Sequence, residues 1–195
     1  MIKIAITGGI GSGKSVISQL LRVFSYPVYD ADNEAKRLMS SSGIIKSALI
    51  TLLGQEVYKG DVLDKTYMAS IIFADKSLLQ KVNEIVHPVV KEDFRKWCCR
   101  QKKDIVFLES AILFESGFET EVDYVWLISA PEELRIARAV KRDNSTVEQI
   151  ERRIKAQWPE AKKIELSDAV IQNNGRCSLI AQVQTLLLSM SNSAK

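Results

Sequence analysis

A chain of 195 residues, 46% hydrophobic and carrying a formal charge of only +3, suits one compact α/β unit with a sizeable core, and its basicity favours small anionic ligands over nucleic acid. No apolar run approaches the ~20 residues needed to cross a bilayer, and Met1 leads straight into apolar sequence without a basic leader and cleavage site, so the expected setting is the cytoplasm with no membrane partner. Cys98, Cys99 and Cys177 form neither a disulfide framework nor a CxxC metal site, which leaves free, partly buried thiols, and the single histidine, His87, nearly excludes multi-histidine metal centres and His-paired nucleophiles.

In chain order, Ile2 to Ile6 reads as a buried strand. Directly after it, Gly8-Gly9-Ile10-Gly11-Ser12-Gly13-Lys14-Ser15 fits GxxxxGK[ST] in full, a phosphate-binding loop. The glycines allow positive φ and close approach to a polyphosphate, so that loop amides and the following helix N-terminus face the anion. Lys14 reaches the outer phosphates, and Ser15 supplies the hydroxyl that such loops place on Mg²⁺. Val16, Ile17, Leu20 and Leu21 continue as a helix, apolar at a spacing compatible with packing on a sheet.

Val28-Tyr29 reads as a second strand, with Asp30-Ala31-Asp32 at its carboxyl end, where ligands bind in open α/β sheets. Asp30 is assigned capping or structural support, and Asp32 catalytic contact with an acceptor hydroxyl. Roughly seventy residues then precede the third strand, whereas a crossover needs about a dozen, so a helical insertion is expected. Its helices read as Ile44 to Leu53, Thr66 to Phe73, Leu78 to Val86 and Val89 to Trp97, punctuated at Gly43, Gly54, Gly60 and Pro88. Such an insertion is a natural place to hold an acceptor substrate.

The third strand, Ile105 to Leu108, ends at Glu109, where P-loop proteins keep a carboxylate near Mg²⁺ or its water; Glu115 is a further acidic candidate. After the fourth strand, Tyr124 to Ile128, arginines crowd two helices: Arg135, Arg138, Arg142, Arg152 and Arg153, with Asp143-Asn144-Ser145 between them. Pro131 fits the first turn of the earlier helix, and Ser145 with Glu148 makes a capping box for the later one. Arg138 and Arg142 lie on one face and suit the charge developing on a transferred phosphoryl group. Ala169 to Ile171 is the fifth strand. The last helix, Leu179 to about Leu188, carries Leu179, Ile180, Val183, Leu186 and Leu187 on one stripe, before a frayed tail from Ser189 to Lys195.

This alternation predicts an α/β fold of the P-loop NTPase type, three-layered, with a five-stranded parallel sheet, a helical insertion and an arginine-rich lid. A single domain is expected, comprising a core (about 1–32, 104–131 and 165–195), the insertion (about 33–103) and the lid (about 132–164).

The chain resembles the dephospho-CoA kinase family almost throughout: ITGGIGSGKS at Ile6 to Ser15, the Asp30–Asp32 triplet, His87-Pro88, LESAILFES at Leu108 to Ser116, Arg138 with Arg142, Arg153-Ile154 with Gln157, and DAVIQNNG at Asp168 to Gly175. The loop alone is common to many families; its combination with the triplet and the last motif is far more specific. The resemblance implies ATP with Mg²⁺, the ribose 3′-hydroxyl of dephospho-CoA as acceptor, and CoA and ADP as products. A monomer or small homo-oligomer is expected, and sequence does not choose between them. The resemblance also implies Asp32 as general base and Arg138 with Arg142 as the lid that meets the ATP phosphates. The ATP-binding set would be Gly9, Gly11, Ser12, Gly13, Lys14, Ser15, Val16, Arg138, Arg142, Asn173 and Gly175, the last two near adenine. Asp32, Lys65, His87 and Lys91 would serve the acceptor, with His87 near its entrance or simply capping a helix, and Ser15 and Glu109 would serve Mg²⁺, Glu109 through water.

Departures from the family pattern are visible. Val16 stands where many relatives have Thr, Lys65 and Lys91 where Arg is usual, and Ala111-Ile112-Leu113 where Pro-Leu-Leu is usual. Lysine keeps charge but lacks arginine's bidentate fork. A kinase for another nucleoside or sugar is the alternative in the same class. A nucleotide-dependent switch is the alternative outside it, although the NKxD and DxxG motifs of a GTPase do not occur.

Overall fold

The computed structural model describes residues 1–193 and falls into two compact units, one of residues 1–29 with 102 onward, the other Asp30–Gln101. The first unit opens with β1 (Ile2–Thr7), the glycine loop, α1 (Lys14–Val23) and β2 (Val28–Asp30), whose last residue, Asp30, begins the second unit. Ile17 and Leu21 of α1 are fully buried, but Val16 is 49% exposed, so the expected apolar face is narrower than sequence suggested.

The second unit contains α2 (Ala31–Ser41), α3 (Gly43–Leu53), a short antiparallel hairpin of β3 (Tyr58–Lys59) and β4 (Val62–Leu63), α4 (Lys65–Ala74) and α5 (Lys76–Cys99). The hairpin was not expected from sequence, though Gly60, at φ 65, turns it with Asp61. Lys46 of α3 ties that turn down, donating to Gly60 O and Asp61 Oδ1, both at 2.8 Å. Two expected helices meet at Pro88, yet α5 runs through it as one helix. The reason lies in packing: Val82, Val86, Val90, Phe94 and Cys98 recur every fourth residue and are all buried, while Pro88 is exposed. A continuous apolar stripe outweighs the one backbone hydrogen bond that proline removes.

The chain then returns to the first unit with β5 (Ile105–Glu109), β6 (Tyr124–Ser129), α6 (Glu132–Asp143), α7 (Val147–Lys155), α8 (Glu160–Glu165), β7 (Ala169–Gln172) and α9 (Leu179–Ser193). The five-stranded parallel sheet has the order β2-β5-β1-β6-β7, with β1 at its centre. Neighbours register as Ile6↔Glu109 and Ile6↔Trp126. Ile4, Ile6, Phe107, Trp126, Ile128 and Ile171 alternate along the strands and form one buried cluster with Ile17 and Leu21 of α1 and Val183 and Leu187 of α9. Ala5, Val106, Leu108, Val125 and Leu127, on the opposite face, are buried too, as a doubly covered parallel sheet requires.

Three local expectations are corrected. Pro131 is the N-cap of α6, one residue before its first turn. The capping box of α7 is Thr146 with Gln149, because the helix begins one residue later than Ser145 and Glu148 would have it; Ser145 instead bonds Gln149 Oε1 at 2.5 Å. Helix α9 continues through Ser193, beyond the expected end at Leu188, with Ile180 53% exposed and off the buried stripe. Ala194 and Lys195, the end of the expected frayed tail, lie outside the described residues. Among the thiols, Cys98 is buried, whereas Cys99 and Cys177 are exposed. Among the described residues, no helix is long and apolar enough to cross a membrane.

Candidate active site

The glycine loop leaves the central strand, where the sheet's strand order reverses, and ends in the N-terminus of α1. Gly13 is the N-cap of that helix at φ 98, and a Cβ added there would lie 2.1 Å from Asn173 Nδ2. Gly11, at φ 75, would meet the Arg135 carbonyl oxygen at 2.1 Å. Both positions therefore need glycine twice over, for conformation and for space.

Side chains from distant parts of the sequence hold the loop's backbone. Arg135 Nε of α6 donates to Ile10 O at 3.1 Å, and Ile10 N donates to Gln157 Oε1 at 3.0 Å. Asn173 Nδ2, just beyond β7, donates to Ser12 O at 2.7 Å. Arg135 is 4% exposed and its charge is paired with Glu160, which leaves no uncompensated buried cation. Lys14 Nζ lies against the loop's own carbonyls, 2.9 Å from Gly8 O and 3.2 Å from Gly9 O. Ser15 and Val16 are exposed at the start of α1.

Arg138 and Arg142 share a helix face but not a partner. Arg138 reaches Asn173, donating to its carbonyl at 3.3 Å and to Oδ1 at 3.4 Å. Arg142 instead grips Asp143 through two bonds of 2.7 and 3.0 Å, and Arg153 of α7 donates to the same carboxylate at 2.6 Å. Hydrogen bonds from Arg142 first, and then from Arg153, hold the Asp143 carboxyl well below the usual carboxylate range. Asn173 thus joins Arg138 to the loop, while Gly175, at φ 80, turns the chain after it. Glu109 ends β5, 8% exposed and in register with Ile6. Glu115 has a structural partner: Oε1 accepts from Lys163 Nζ at 2.7 Å and from Trp158 N at 2.8 Å.

In the second unit, Asp30 caps α2 as expected, accepting from Asn33 N at 3.0 Å and Asn33 Nδ2 at 2.7 Å. Asp32 lies half-buried in the first turn of α2. His87 and Lys91 stand one turn apart on α5, both half-buried. His87 sits in mid-helix and so caps nothing. Burial, reinforced by the charge of Lys91, pushes its pKa below the ordinary histidine value. Lys65 is exposed at the first position of α4, next to the N-cap Asp64, which accepts from Tyr67 N at 2.9 Å.

Sequence reasoning missed Gln157 and Arg135 as neighbours of the loop. Arg135 was one of five arginines in a cluster, and only its burial separates it from the others. Gln157 stands out only as part of the motif shared with the family, and nothing near it in sequence points to its partners, which are 147 and 46 residues away.

A family model described as dephospho-CoA kinase matches residues 2–178. The chain is 48% identical over 187 residues to a dephospho-CoA kinase of Bacteroides fragilis strain YCH46, covering 95% of this chain and 91% of that protein. A solved structure from Thermus thermophilus superposes with a TM-score of 0.87 at 33% identity, covering 97% of both chains. The dephospho-CoA kinase of Campylobacter jejuni, at 19% identity and a TM-score of 0.71 over 99% of this chain and 98% of that one, shares the fold.

Proposed function

Because the chain belongs to the dephospho-CoA kinase family, we propose that it transfers the γ-phosphoryl group of ATP to the ribose 3′-hydroxyl of dephospho-CoA, giving CoA and ADP. The observation that supports this most is the glycine loop itself, whose backbone is already held by Arg135, Gln157 and Asn173. Fixed amides at a helix N-terminus stabilise phosphate charge without rearranging during the reaction.

The roles follow from phosphoryl-transfer chemistry. Gly9, Gly11, Ser12, Gly13 and Val16 present backbone to the phosphates, and Lys14 exchanges its loop carbonyls for β- and γ-phosphate oxygens. Asp32 takes the proton of the 3′-hydroxyl as its oxygen bonds to the γ-phosphorus. The bond from that phosphorus to the β,γ-bridging oxygen breaks, and ADP leaves. Arg138 and Arg142 meet the charge on the moving group, and Asn173 and Gly175 flank the adenine. Lys65, His87 and Lys91, in the helical unit, bind the acceptor.

Mg²⁺ suits the available donors, since the exposed Ser15 hydroxyl and the Glu109 carboxylate offer only oxygen. Among the described residues no cluster of three or more His, Cys, Asp or Glu could hold a metal, which fits an ion bound largely by substrate phosphates and water. Ser15 would hold it directly and Glu109 through water, and when bound it neutralises charge on the β and γ oxygens. Because ATP and dephospho-CoA are intracellular metabolites, the cytoplasm is the proposed place of action.

A coupled assay of ADP release tests the proposal. Release should be fast with dephospho-CoA and negligible with nucleoside monophosphates or without acceptor. Equal release in all three conditions would identify a hydrolytic switch instead.

A further inference from the structure

We infer, on the footing of the kinase function proposed above, that Gln157 is a positioning residue which sets the phosphate-binding conformation of the loop by bracing it against the turn that follows Glu109. Its side-chain amide uses both ends: Oε1 accepts from Ile10 N at 3.0 Å, and Nε2 donates to Ala111 O at 3.1 Å. Arg135 holds the carbonyl of the same Ile10 at 3.1 Å. Ile10 is therefore gripped through both its N–H and its C=O, so its flanking peptides cannot rotate freely and the neighbouring amides keep their orientation.

The far end of the brace is equally well anchored. Lys163, 1% exposed, donates to Ala111 O at 3.4 Å and pairs with Glu115, and Glu115 accepts from Trp158 N next to Gln157. The brace thus couples the two parts of the first unit assigned to phosphate and metal, the loop 8–15 and the stretch beginning at Glu109. It uses only the carbonyl of Ala111, which a proline supplies as well, so the departure from Pro at this position leaves the brace intact.

The test compares wild type with Gln157→Leu, similar in size but unable to make either hydrogen bond. Gln157 borders a cavity of about 450 Å³ beside Gly9, Lys155 and Trp158, so leucine has room. The expected result is a rise in KM for ATP on the order of tenfold, the scale of one or two lost part-buried hydrogen bonds, with the KM for dephospho-CoA nearly unchanged. An unchanged KM for ATP, or a lower melting temperature with both KM values intact, overturns the inference. Should the variant not fold, amide exchange in wild type decides: the Ile10 amide should be protected, and rapid exchange there overturns the inference. Wild-type turnover of dephospho-CoA, measured alongside, separates this outcome from failure of the kinase proposal itself.

Discussion

In the proposed mechanism the chemistry divides between residues that touch phosphate and residues that hold those in place. Asp32→Asn keeps the shape of the side chain but removes its basicity, so turnover should fall at least ~10²-fold while ATP binding stays nearly intact; near-normal turnover would rule Asp32 out as base. Gly13→Ala faces both the φ of 98 and the 2.1 Å approach to Asn173, so nucleotide affinity measured by titration should collapse. Being the only histidine, His87 can be followed by its own ring resonances. Its midpoint should lie below ~6.5, and Lys91→Ala should move it upward by removing the nearby positive charge. A depressed folded-state pKa means that the neutral imidazole contributes stability above the unfolded value, and this contribution is lost as pH falls through the lowered one.

Two elements show how local rules yield to packing. Pro88 sits inside α5 because the buried stripe from Val82 to Cys98 holds the helix on both sides of it. The second is the clasp of Arg142, Asp143 and Arg153, which joins the end of α6 to α7. In the proposed role Arg142 has to leave this bidentate pair to reach a phosphate, so on that proposal Asp143→Asn should tighten ATP binding a few-fold, as read by titration. The Asp143 carboxyl titrates far below ordinary values, so the clasp contributes above pH ~3.9 and is lost only as pH falls through the lower folded value. ATP affinity should accordingly show no Asp143-dependent step between pH 5 and 8. The pair is solvent-exposed, and its contribution to stability should be small and weaken in salt.

For the molecule as a whole, nucleotide binding should appear as stability. At a concentration about 100 times its Kd, ATP with Mg²⁺ should add about 2.7 kcal/mol, visible as a higher melting temperature that chelation reduces. The gain should be smaller in Gln157→Leu at the same ATP concentration, because the weaker Kd enters the same logarithm.

Sequence alone determined what local chemistry encodes. The five strands showed as short apolar runs, because strands buried on both faces need no polar alternation. The loop showed because glycine spacing and Lys-Ser at a helix start are local requirements, and the Asp30 cap because capping acts over three residues. The tertiary structure decided what depends on contacts between distant residues. Only the packed fold distinguishes Arg135, buried against Ile10, from Arg142, held by Asp143 on the surface, although both belong to one helix. The same holds for Gln157 and for the continuity of α5 through Pro88. Both follow from which groups pack or find partners across the fold, a condition that no window of adjacent residues contains.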